Sequence, residues 1–197
     1  MGSEMCIRDR ICLNLSLFLF NALPVGITDG AKIWELLQHP ENTKYAYLML
    51  RHSAQTLLAP QEYDLKDFIM PVDEDVRGSF AESVQTLQGL VFILDDNIEL
   101  AKQQFQSVLE KTDNPMSKTS SQLYLLQIAL MEGDNKKAEE YASIRGVKSF
   151  LSIKTADMQV IQAWYQFKVK KDVVQTHKAM KIARQKMNSS RMLRDCL

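Results

Sequence analysis

The sequence predicts an all-α fold built from antiparallel helix pairs, on three observations. Only 7 glycines and 5 prolines occur in 197 residues, too few to punctuate a chain of short strands. Apolar residues recur at i, i+3 and i+4 through one helix-length segment after another. No segment alternates apolar and polar residues for long enough to make a half-buried strand. With 46% hydrophobic and 24% charged residues, the composition is that of a globular chain of one domain, or two small ones.

Charge excludes some functions early. Lysine plus arginine number 24, and aspartate plus glutamate also 24, so the formal net charge is zero. A generic nucleic-acid coat or a polybasic membrane binder needs a surplus of cations, although a local basic patch remains compatible with the balance. Cys6, Cys12 and Cys196 are odd in number and show no C-x-x-C spacing, which predicts free thiols rather than a disulfide framework or a zinc site.

Residues 1–10, MGSEMCIRDR, resemble translated sequencing-adapter DNA and are expected to be a non-native leader outside the fold. The stretch ICLNLSLFLFNALPVG that follows is shorter than the roughly 20 apolar residues that span a bilayer. Asn14, Ser16 and Asn21 interrupt it, which favours a buried helix of a bundle. A signal peptide is the alternative, but Glu4 and Asp9 dilute its basic region and no small-residue cleavage site follows. No membrane interaction is expected.

Residues 11–58 read as N-terminal helical repeats. Asp29 can cap a helix through Ile33, Trp34, Leu36 and Leu37, and Asn42 one carrying Tyr45, Leu48, Met49, His52 and Gln55. Residues 59–75 change character: Glu62, Asp64, Asp67, Asp73, Glu74 and Asp75 face only Lys66, with Pro60 and Pro71 between. This is an acidic connector, with one short helix around Leu65–Met70.

Residues 76–197 are more regular. A helix from about Val76 to Leu94 turns at Asp95-Asp96-Asn97 into a partner bearing Ile98, Ala101, Phe105, Val108 and Leu109. After a loop from Lys111 to Lys118, around Asn114-Pro115, Ser117 or Thr119 opens a helix ending at Gly133, and Asp134-Asn135 caps the next. Gly146 leaves the continuation towards Phe150 open, and two more helices run from Ala156 to about Lys170 and from Asp172 to about Asn188.

These helices pair in a repeating pattern. Gly89 is followed by Phe92, then Ala101, then Phe105; the next pair offers Leu126, Gly133 at the turn, Ala138 and Ala142; a weaker third offers Ala179 and Ala183. A small residue at a helix crossing lets the partner approach, and an aromatic one turn on fills the groove against the next pair. The crossing alanines Ala101, Ala138 and Ala179 are 37 and 41 residues apart.

GLVFILDDNIELAKQQFQSVLE and ALMEGDNKKAEEYA resemble the tetratricopeptide repeat family in a degenerate form. The resemblance covers about Glu82 to Asn188, and only loosely Ile11 to Leu58; the family's tryptophan and proline landmarks are missing or displaced. It implies a TPR-like right-handed superhelix. QGLVFILDDNIELAKQQF, SQLYLLQIALMEGDNKKAEEYA and DMQVIQAWYQF are similar to the cohesin-loader branch of that family. Repeat scaffolds of the mRNA deadenylase complex are a competing match. The cohesin-loader resemblance implies a nuclear protein that holds an extended segment of a larger subunit; otherwise a cytoplasmic scaffold is expected. The abrupt start and the basic end at Leu197 are expected of a piece cut from a longer array.

The sequence predicts no enzyme, cofactor or metal site. His39, His52 and His177 lie on separate segments without ligand spacing. No P-loop, G-x-G-x-x-G or G-x-S-x-G is present, and the acids of the connector lack the spacing of a calcium loop. From Trp164 to Leu197, nine lysines and arginines oppose Asp172 and Asp195, a net of +7. Two readings stay open: a docking face for an acidic partner or for nucleic-acid phosphates, or a solvated face capping the array. Because first helices of such repeats usually line the inner surface, the resemblance implies a partner-binding face at Tyr124, Gln127, Trp164, Lys168, Lys171 and Lys178. A protein partner is expected, with nucleic acid second.

Overall fold

The computed structural model describes residues 14, 21–22, 28–58, 64–72 and 78–195. Every regular element among them is helical, so the fold is all-α. The chain divides into two compact units, Met1–Val84 and Gln85–Leu197, with the division falling inside one helix. The leader and most of the apolar stretch after it lie outside the described residues, as do the three cysteines.

In the first unit, α1 (Asp29–Gln38) is capped by Thr28, whose hydroxyl accepts from the Ala31 amide at 3.3 Å. Asp29 is therefore the first helical residue rather than the cap. A 3-10 turn at Pro40–Asn42 leads into α2 (Thr43–Leu58). Asn42 is not a surface cap for α2: its side chain is buried and donates to Glu35 at 3.3 Å. Ser79 donates to the other oxygen of Glu35 at 2.7 Å. Within the acidic stretch, the short helix takes the form of a 3-10 turn, Leu65–Phe68, started by the Asp64 carboxylate on the Lys66 amide. Phe68 is fully buried there, edge-on to His52 with centroids 5.2 Å apart. Burial lowers the pKa of His52, so its ring is the neutral form at physiological pH.

In the second unit, the C-terminal part of α3 (Ser79–Leu94) precedes α4 (Ile98–Lys111). α5 (Pro115–Glu132) starts earlier than Ser117: Asn114 accepts from the Met116 amide at 2.9 Å, and Pro115 sits at the first helical position, where its missing N–H costs nothing. α6 (Asn135–Ser143) is capped by Asp134. Ile144 breaks the helix with an extended backbone, and a separate short helix, α7 (Arg145–Leu151), follows. α8 (Ala156–Tyr165) passes into a π-helical turn, Gln166–Lys170, closed by the Asp172 amide on the Gln166 carbonyl at 3.0 Å. α9 (Val173–Asp195) completes the unit.

Gly133 closes α5 at φ +75°, with nothing near the position a Cβ would take. Its contribution is the turn, not packing. A left-handed conformation costs an L-residue about 1–2 kcal/mol, partly offset by the lower unfolded-state entropy of alanine. Gly133→Ala is expected to lower the unfolding free energy by about 1 kcal/mol in urea denaturation, and Gly133→Asn by less.

Two packed clusters make up most of the second unit's core. One gathers Ala101, Phe105, Leu125 and Ile128, with Phe92 against it. The other gathers Leu123, Leu126, Leu130, Ala138, Ala142, Val147, Ile161 and Tyr165. At Gly89, a Cβ would stand 2.6 Å from the Phe105 ring, so the glycine makes room for that ring. Ala179 and Ala183 are buried residues of α9 and form its seam.

Candidate partner-binding surface

The residues of interest are positioned by α5 and α8. Leu123, Tyr124 and Gln127 of α5 border the same groove as Ala156, Asp157, Val160 and Ile161 of α8. About two turns past the last of these, Lys168 donates to the Leu130 carbonyl at 3.5 Å. The contacts advance in the same order along both, from Leu123 and Tyr124 against the start of α8 to Leu130 beyond its end, so α5 and α8 run side by side in the same direction. Between them, α6 and α7 return the chain.

Tyr124 lies half-buried, its ring stacked on Phe105 at 5.0 Å with an interplanar angle of 19°. Burial, and secondarily the negative charge of Asp157, raise the pKa of its phenol, which therefore stays a neutral donor at the wall of the groove. Gln127, one turn on, shares that wall, and Met187 of α9 reaches the same groove, whose volume is about 430 Å³. Val160 and Met187 are 42% and 57% exposed, enough apolar surface to cover with a partner side chain.

Trp164 and Lys168 form a second pair. Trp164 packs on the core cluster around Leu126, and the Lys168 ammonium sits 5.8 Å from its ring centroid. With that contact and the Leu130 carbonyl, Lys168 closes the end of α5 more than it presents a free cation. Lys171 is exposed and left-handed, at φ +54°, ending the π turn. Lys178 is exposed on α9 and borders a different hollow, with Lys154, Gln159 and Gln175. The structure thus brings Tyr124 and Gln127 together, pairs Trp164 with Lys168, and places Lys178 apart from both.

No protein-family model, curated protein or solved structure matches the chain. The geometry of its own residues therefore carries the reading that follows. Among the described residues, no group of three or more histidines, cysteines or carboxylates converges as a metal site would. The His39 ring lies against the Glu41 carboxylate, at 3.1 Å on the surface. Among the described residues, no helix is long and apolar enough to cross a membrane.

The residues that sequence reasoning missed are Val160, Met187 and Asp157 at the groove, and Lys148 and Lys154 near Lys178. Val160 and Asp157 lie on the helix that carries Trp164, but which of its faces meets α5 depends on how the short α7 offsets it.

Proposed function

We propose that this chain is a non-enzymatic, TPR-like scaffold whose stacked helices hold an extended segment of a larger protein partner. The observation that carries the reading is the side-by-side, same-direction packing of α5 and α8 with an open apolar groove between them. Parallel first helices with returning second helices are the arrangement by which repeat arrays build long binding surfaces. Wrapping an extended segment lets such a surface bind without a deep pocket. The resemblance to the cohesin-loader branch makes the N-terminal region of the larger loader subunit the first partner to test, with action in the nucleus during cohesin loading.

The test is capture of purified chain by that immobilised N-terminal region, at moderate salt after nuclease treatment. Retention is expected, and Val160→Asp together with Gln127→Glu should weaken it by about tenfold or more by placing charge in an apolar contact. Neither substitution disturbs a buried side chain, since Val160 is exposed and Gln127 half-exposed. No retention, or retention indifferent to both substitutions, sinks the reading. Binding that is lost on nuclease treatment supports nucleic acid instead, with the exposed Lys178, Lys181 and Arg184 of α9 as the phosphate contacts.

A further inference from the structure

The second unit holds a further depression besides the α5–α8 groove, lined by other residues. Two hollows of about 520 and 190 Å³ share Leu151, Ser152 and Gln162, so they meet as one trough past the end of α7. Its floor is apolar where Ala142, Leu151 and Ala179 lie buried. Its rim is cationic and rich in amides. Lys148, Lys154 and Lys178 line it and are exposed, and none of them has an acidic partner among the described ion pairs. Lys170 also borders it, but is neutralised by Glu139, the one acid among the described residues that line the trough. Gln162, Gln166 and Gln175 each add a side chain able both to donate and to accept.

We infer that this trough, bordered by Lys148, Lys154 and Lys178 with Gln162 between them, binds an acidic, extended peptide segment. Charge complementarity selects the sign of the ligand: three unpaired cations around a partly apolar floor leave an acidic chain as the complement. The surrounding groups select a peptide over a nucleic acid. Glutamine amides pair with peptide groups in either direction, and the apolar floor takes every second side chain of an extended segment. The inference rests on the scaffold reading only in that the partner is an extended peptide, and it uses a separate surface.

The experiment is fluorescence anisotropy of the full chain with a fluorescein-labelled peptide alternating glutamate with leucine. The same peptide with glutamine for glutamate serves as control. The acidic peptide is expected to bind and the control to bind about tenfold more weakly, as three exposed ion pairs together amount to about that factor. Lys148→Glu, Lys154→Glu and Lys178→Glu combined should weaken the acidic peptide by at least that much with an unchanged circular dichroism spectrum. The same variant should gain affinity for a peptide alternating lysine with leucine. Acidic-peptide binding indifferent to the triple variant overturns the inference. So does a single-stranded oligonucleotide that binds more tightly than the peptide and loses its affinity through the same lysines. The Val160→Asp variant keeps the two readings apart. Peptide binding through the lysines with no capture of the loader segment leaves the trough standing and removes the proposed loader partner. Capture abolished by Val160→Asp, with a peptide indifferent to the lysines, does the reverse.

Discussion

Replacing Phe105 with alanine is expected to lower the unfolding free energy of the second unit by about 3–5 kcal/mol, the usual cost of deleting a fully buried phenylalanine. Phe105 has no exposed surface, sits in one cluster with Ala101, Leu125 and Ile128, and carries the Tyr124 ring stacked upon it. Its loss empties the space between α4 and α5 and unseats Tyr124 from the groove wall. The contact with Gly89 adds a sharper test. A Cβ at Gly89 would stand 2.6 Å from the ring, so Gly89→Ala alone should destabilise, although alanine is favoured over glycine inside a helix by roughly 0.5–1 kcal/mol. In the Phe105→Ala background the obstruction is gone, and the same substitution should become stabilising. The double-mutant cycle should show this as a coupling of about 1–2 kcal/mol. The readout is urea denaturation followed by Trp164 emission in a Trp34→Phe background, which isolates the second unit because Trp34 lies in the first. Additive effects would mean that the ring moves aside without cost.

A comparably large effect is expected at Leu126. It is fully buried in the cluster that joins α5 to α6, α7 and α8, among Leu123, Ala138, Val147 and Ile161. Leu126→Ala should cost about 2–5 kcal/mol, while Leu126→Met, which keeps the volume, should cost less than about 1.5 kcal/mol. The same denaturation measures both, and equal losses would argue that shape rather than volume governs the site. Because Leu126 shares its cluster with Leu123, which borders the groove, the alanine variant should also loosen partner capture, and the methionine variant should not.

The all-α class and most helices of the second unit were legible in the sequence because long amphipathic segments carry a strong 3.6-residue signal. The turn Asp95–Asn97 and the stop at Gly133 were legible for the same reason: both interrupt the pattern with residues that favour turns. The start of α5 was not, since hydrophobic periodicity begins well inside the helix and the Asn114-Pro115 cap precedes it. The break at Ile144 was hidden because an isoleucine carries no turn signal, while the neighbouring Gly146 draws attention yet sits inside the first turn of α7. At the site, Tyr124 and Gln127 could be grouped because residues three apart share a helix face. Val160 and Met187 could not, since their approach depends on how α8 and α9 pack. Lys148 and Lys154 escaped a charge count begun at Trp164, because the trough gathers residues from α7 and the loop after it with Lys178 from α9.

The order in which the second unit can assemble follows from which helices touch. Its main contacts join near neighbours in the chain: α4 to α5, α5 to α6, and α8 to α9. Short-range contacts close small loops, so each helix finds its seat soon after it is made, without waiting for a distant segment. Synthesis from the ribosome can then fold the unit from its N-terminal side, each new helix laid against one already in place. α9 follows α8 and rests on it and on the π turn, with Ala179 and Ala183 buried at the seam. Its Lys178 supplies one wall of the lysine trough, so the trough is complete only once α9 has docked on α8.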